Sequence, residues 1–210
     1  VDVGVDRSDV MASLGQVAVW SLDLAAWGEC AQAETEALAL EALRRRTGAD
    51  GVVVTETLRG EDQLFAADRA PATDAHVTRT LAVLREERTR TIEQLRTAGP
   101  ERWDREDPDV DQPGWMPWRT PAAIARHVVD TESRGYARRL GLPELEPVDD
   151  LLEELSRSAA HVRGLLASMP RTGVHRYRDE LWTPMRLLRR LAWHERVEGV
   201  FLRRRVRALV

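Results

Sequence analysis

The chain has 210 residues, of which 43% are hydrophobic and 31% charged, and a formal net charge of −4. These values fit one large or two small globular domains and exclude wholesale disorder, collagen-like repeats, a disulfide scaffold and a global attraction to nucleic acid. No apolar run approaches the ~18–20 residues of a membrane span, no charged-then-apolar leader is visible, and the lone Cys30 has no internal disulfide partner, so a cytoplasmic location is expected.

Residues 17–24 read VAVWSLDL and put Ala18, Trp20, Leu22 and Leu24 on one parity, which predicts a half-buried strand. A second short strand is expected from about Trp27 to Ala33, pairing back through a turn at Ala25–Ala26. Thr35 is a candidate N-cap for a helix to about Arg46, with Ala37, Leu40 and Leu43 on its apolar face and Gly48 as its stop. A further strand is expected from Val52 to just before Gly60. Residues 1–60 thus read as a small α+β unit, marginal in size on its own. Residues 61–73, with Pro71, read as a linker.

Beyond this point the apolar residues fall at helical spacing. A first helix is expected over Asp74 to Ala98, with Val77, Leu81, Leu84, Thr91 and Leu95 on one stripe and Gly99–Pro100 as its stop. Arg88 falls inside that stripe, where it would meet either a substrate or a carboxylate such as Glu132. The second helix opens at Thr120–Pro121 and ends near Gly141. The third runs from about Val148 to Met169. The fourth opens at Thr183–Pro184 and runs almost to Val210. Four such helices over 74–210 pack most simply as a bundle, so the chain reads as mainly α. Trp103, Trp115 and Trp118 crowd the connector before the second helix, as anchors of a long loop or as a lid.

Two of these helices carry the candidate chemistry. His127 follows its cap by seven residues and His194 follows its own by eleven. At about 100° per residue these positions fall within about 40° of one another around their axes. Glu198 lies one turn after His194 on the same face. Two imidazoles and a carboxylate form an open metal-ligand set with positions left for water or substrate. Zinc is the first expectation, with nickel, iron or manganese also accommodated. Glu132 and Glu195 are candidates for a supporting or proton-transfer role, and Glu195 is the candidate catalytic residue. The competing reading of Glu198 is a salt bridge to Arg190 or Arg203. His194-Glu195-Arg196-Val197-Glu198 lacks the second histidine of a zinc-protease motif. His76, His161 and His175 have no partner at ligand spacing and read as surface residues, Cys30 as core, and Arg203-Arg204-Arg205 as a solvated helix end.

The segments Trp118-Arg119-Thr120-Pro121 through His127 and Glu132, and Trp182-Thr183-Pro184 through Trp193-His194-Glu195-Arg196-Val197-Glu198, resemble the second- and fourth-helix signatures of the DinB-like superfamily. The resemblance covers residues 74–210. It implies an up-down-down-up four-helix bundle, commonly dimeric, with a metal on three histidines and, in some members, thiol-dependent transferase or isomerase activity. His127 and His194 match the first two ligands, and Glu198 stands where the third histidine is usual. The seven-residue connector 141–147 is short for two parallel helices. Residues 15–60, through Leu22-Asp23-Leu24, Trp27-Gly28-Glu29-Cys30-Ala31-Gln32-Ala33 and Thr35-Glu36-Ala37, resemble HicB-like domains, with Ala25-Ala26 in place of the usual Pro-Gly. That likeness implies a fold and no antitoxin activity.

The expectation is therefore a DinB-like four-helix bundle behind a small HicB-like α+β unit. As an enzyme it would be a metal-dependent hydrolase or thiol transferase acting on a small-molecule or thiol substrate. A homodimer is expected, and neither a membrane nor a nucleic-acid partner. The absence of Lys and Asn and the use of Arg for every cationic side chain point to a high-GC, bacterial genome. In an actinobacterium, mycothiol would be the thiol. The alternative is a non-catalytic binding protein whose metal site has degenerated at Glu198.

Overall fold

The computed structural model describes residues 1–107 and 117–209; Trp115 lies outside them. The architecture is an α-dominant α+β one, with a four-stranded sheet and a two-stranded hairpin. Chain contacts divide it into two compact units, Val1–Thr80 with Pro170–Trp193, and Leu81–Met169 with His194–Val210. Residues 61–73 lie within the first of these, together with residues 170–193.

In the first unit, β1 (Asp2–Ser8) is central. It pairs antiparallel with β2 (Val17–Ser21) and parallel with β4 (Val53–Gly60), while β2 pairs antiparallel with β3 (Cys30–Ala33). The short helix α1 (Asp9–Ser13) joins β1 to β2, and α2 (Glu36–Thr47) joins β3 to β4. The Thr35 hydroxyl caps α2 by accepting from Leu38 N–H, and Gly48 ends it in the left-handed region at φ 65°. Strand β2 is buried on both faces rather than one. Val19 joins Val3, Val5, Ala39 and Leu43 on the α2 side, and Trp20 joins Met11, Cys30, Leu58 and Phe65 on the other. The expected 61–73 linker contains a helical turn, α3 (Ala66–Arg69), flanked by buried Leu64, Phe65 and Ala72. It is held because Asp68, buried on this turn, accepts from Arg189 Nη2 at 2.8 and 2.7 Å and from Arg189 Nε at 3.2 Å. The hairpin β5 (His175–Tyr177) and β6 (Glu180–Trp182) precedes the last helix, and His175 is exposed on it. His76 is half-buried, against Trp27.

Cys30 packs in the second of these clusters, and burial pushes its thiol up to about 12. At pH 8 the folded protein holds almost no thiolate there. Ellman's reagent is expected to leave Cys30 unmodified in the native protein and to titrate one thiol after unfolding in guanidinium. Stoichiometric reaction within seconds without denaturant would contradict the burial.

The second unit is built from four helical segments. They are the later part of α4 (Asp74–Ala98), α5 (Pro121–Val129) with its continuation, α7 (Leu151–Ser168), and the later part of α8 (Pro184–Leu209). Thr120 and Asp150 cap α5 and α7 through their side chains. Leu95, Ile124, Ala125, Val129, Leu151, Leu155, Leu202 and Val206 form one apolar core to which all four contribute. Trp103 and Trp118 pack against this core, and Trp103 also donates its indole N–H to Leu95 O at 2.8 Å, so Trp103 anchors the loop.

The expected second helix is interrupted. After α5 the chain makes a π-helical turn, Asp130–Tyr136, and closes with α6 (Ala137–Arg139). The connector then folds back along it, with Leu145 N–H donating to Ser133 O and Arg134 Nε to Leu145 O. Arg126 reaches Asp149 O and Glu154, and the Ser133 hydroxyl meets that of Ser158 at 2.7 Å. These contacts advance in the same direction on both helices, so α5 and α7 are parallel. His161, half-buried, bonds Pro143 O on this connector. The distance that seven residues could not span is covered because the return path runs from 140 to 150 and starts beside α6. Of the arginine run at 203–205, Arg204 is exposed as expected of a solvated helix end, and the other two are engaged. Arg205 is buried and donates to Asp107 O, and Arg203 pairs with Glu87 at 2.8 Å. No helix among the described residues is long and apolar enough to cross a membrane.

Candidate metal centre

The second unit carries a buried polar layer between its helices. From α5 comes His127, from the π turn Glu132, from α4 Arg88, and from α8 His194, Glu195 and Glu198. His127 Nε2 and His194 Nε2 are 3.1 Å apart. Glu198 Oε1 lies 3.9 Å from the first and 4.0 Å from the second. The three residues singled out from helical spacing therefore do converge, at one level of the helices.

The tautomer of His194 follows from its partner. His194 Nδ1 is 3.0 Å from Glu132 Oε1. The ionised Glu132 carboxylate only accepts, so in that state the proton sits on Nδ1 and Nε2 presents a lone pair. His127 Nδ1 is 3.2 Å from the Thr131 hydroxyl, on the ring edge away from His194. Burial first, and His194 second, lower the His127 pKa to about 4, so His127 is neutral at pH 7. The two Nε2 atoms are at hydrogen-bond distance, with the His127 proton between them or a cation in its place.

Glu198 completes the group. Its Oε2 is buried with no hydrogen-bond partner among the described residues. Burial, with Glu132 as a second cause, pushes its carboxyl up to about 7. The alternative salt bridges do not claim it. Arg203 is on Glu87, and Arg190 lies over the rings of Trp20 and Trp193. The three ligand distances define a triangle whose centre lies about 2.2 Å from each atom, inside the roughly 2.0–2.2 Å range of zinc bonds to nitrogen and oxygen. Two neutral imidazole nitrogens, an orphaned buried carboxylate oxygen and this spacing fit a divalent cation.

Arg88 holds the layer behind the ligands. It donates to Glu132 Oε2 at 3.0 Å, to Glu195 Oε1 through Nε at 2.7 Å, and to Leu155 O at 2.8 Å. Of the two readings of Arg88, the carboxylate partner is the one present. Glu132 thereby bridges Arg88 and His194, an arrangement that orients a metal-binding imidazole. Glu195 differs from its expected place. It is 2% exposed, bonded to Arg88, and outside the His127–His194–Glu198 group, so it supports the site through Arg88 and touches no ligand. Burial pushes the carboxyls of Glu132 and Glu195 up to about 7 and about 8, against the pull of Arg88.

The chain matches no family model, no curated protein and no solved structure.

The π turn was not legible in the sequence, yet it matters here. A regular helix would set Glu132 about 140° around the axis from His127. The wider turn lets both meet His194, and π turns recur at functional sites for such reasons. Trp118 stacks on His127 with ring centroids 3.4 Å apart and planes 21° from parallel, and Tyr136 sits edge-on to His194 at 5.9 Å. The His127 side chain is 17% exposed, those of His194 and Glu198 only 4%. Solvent therefore reaches the group on the side of His127 and Trp118. The broad depression of about 810 Å³ along the 142–149 connector contains none of the three ligands.

Proposed function

We propose that the chain is a metal-dependent enzyme of the hydrolase or thiol-dependent transferase type, built on a DinB-like four-helix bundle. The observation that carries this reading is the convergence of His127 Nε2, His194 Nε2 and Glu198 Oε1, with His194 Nδ1 tied to Glu132. The parallel run of α5 and α7 supports the up-down-down-up order that the DinB-like resemblance implies. The opposite run of α4 and of α8 to α5 supports it too, since Trp103 O just past the end of α4 accepts from Ala122 N–H at the start of α5, and His194 and Glu198 reach Glu132 and His127 in reverse order.

A divalent metal bound there supplies Lewis acidity, polarising a substrate oxygen or lowering the pKa of a bound water or thiol. His127, His194 and Glu198 would hold it, and three protein ligands leave room for substrate. Glu132 keeps the His194 proton on Nδ1. Arg88 keeps Glu132 and Glu195 in place. Trp118 stacks on His127 and borders the accessible side of the group. The reading in which the site has degenerated rests on Glu198, a carboxylate where the resemblance implies a third histidine.

The test is turnover on a panel of ester and amide hydrolysis and thiol-transfer reactions, with chelator-stripped protein and the same protein restored with zinc, nickel, manganese or ferrous iron. Turnover is expected only after restoration and is expected to vanish in Glu198→Ala. Equal activity of stripped and restored protein, or none in any state, would count against the enzyme.

A further inference from the structure

The three residues of the metal centre are not held alike. His194 is almost inaccessible and is tied through Nδ1 to Glu132 Oε1 at 3.0 Å, with Arg88 behind Glu132. Glu198 is equally inaccessible. His127 is the one that solvent reaches, and no carboxylate bonds its Nδ1. Among the described residues that nitrogen meets only the neutral Thr131 hydroxyl, at 3.2 Å. The same hydroxyl lies 3.5 Å from Nε2. A hydroxyl within reach of both ring nitrogens does not choose which of them faces His194 and Glu198.

Outside the ligand group, the ring contact on His127 is the indole of Trp118. The two rings stack with centroids 3.4 Å apart and planes 21° from parallel. Trp118 packs in turn against the apolar core that contains Leu95, Ile124 and Leu202, so the indole is anchored. Two residues later Thr120 caps α5 by accepting from Ala123 N–H, which places Trp118 and His127 on one short, rigid stretch of chain. Turning the imidazole about its Cβ–Cγ bond drives a ring edge into the indole. The stack therefore bars the rotation that the Thr131 hydroxyl leaves open. An ion held by three side chains leaves by breaking its bonds in turn. The side chain that borders solvent and lacks a charged partner is the first to let go.

We propose that Trp118 is a positioning residue for the metal. Its stack keeps His127 Nε2 toward His194 and Glu198 and sets how long the ion stays. The inference rests on the metal reading of the site.

Zinc release from the loaded chain tests this. It is followed with a chromogenic chelator, at concentrations where the rate no longer depends on the chelator. Trp118→Leu and Trp118→Met keep an apolar side chain against the core and lack the flat ring face. They are expected to release zinc about three- to tenfold faster than the wild type, the scale of one aromatic stack. Trp118→Phe keeps a ring face and is expected to stay within about twofold of the wild type. The metal-free forms are expected to share one helical spectrum. The proposal is overturned if the leucine and methionine variants release zinc at the wild-type rate. It is also overturned if the phenylalanine variant releases it as fast as they do, because packing and not stacking would then be what matters. In both cases the wild type still holds zinc and the metal reading stands. A wild type that takes up no zinc overturns both.

Discussion

Arg88→Met is expected to lower the free energy of unfolding by about 3–5 kcal/mol, the cost of leaving buried charges without their partner. Among the described residues Arg88 is the one cation bonded to both Glu132 and Glu195, whose side chains are almost entirely inaccessible. Methionine fills most of the volume but accepts neither charge. The loss is expected to deepen between pH 6 and pH 8. The carboxyls of Glu132 and Glu195 already stand at about 7 and about 8, above the ordinary 4.5, with Arg88 pulling them down. Without Arg88 the folded state holds their protons more tightly, while the unfolded chain releases them above pH 4.5. Stability must then fall as pH rises toward the folded values. Urea unfolding of the metal-free protein at pH 6, 7 and 8 measures this. Adding Glu132→Gln and Glu195→Gln to the variant is expected to recover part of the loss. A single-variant effect below about 1 kcal/mol, or one that shrinks toward pH 8, would show that Arg88 does not hold the layer.

The second large effect is on affinity. Glu132→Gln is expected to weaken zinc binding about 10- to 100-fold while leaving the fold intact. Glutamine fills the same volume but has one acceptor oxygen for the two donors Arg88 Nη2 and His194 Nδ1, and brings no negative charge to raise the basicity of His194 Nε2. Competition against a chromogenic chelator gives the affinity, and far-ultraviolet circular dichroism checks the helices. Unchanged affinity would mean that the Glu132–His194 bond at 3.0 Å is structural only.

What could be read from the sequence follows local rules. The caps at Thr35, Thr120 and Thr183, the stop at Gly48 and the span of α4 all lie where side chain and backbone settle the matter within a few residues. His127, His194 and Glu198 were legible because helical phase carries from each cap to the ligand. Other features depended on distant partners. Strand β1 is only seven residues, and its Val3 and Val5 alternate with Gly4 and Asp6, so its central place comes from pairing with both β2 and β4. Asp68 looks like a linker residue until Arg189, 121 positions later, pairs with it. The π turn has no local signature in Asp130–Tyr136, and it decides that Glu132 meets His194. Glu195 shares a helix with the ligands, and one residue of helical rotation sends it to Arg88 instead of the metal group.

The most direct test of the metal centre is elemental analysis of the purified, untagged chain beside His194→Ala. The account predicts about one divalent metal ion per wild-type chain, after incubation with zinc, nickel or manganese if not before, and its loss in the variant with an unchanged helical spectrum. A wild-type chain that retains no metal after all three incubations would contradict it, as would a variant that holds as much as the wild type.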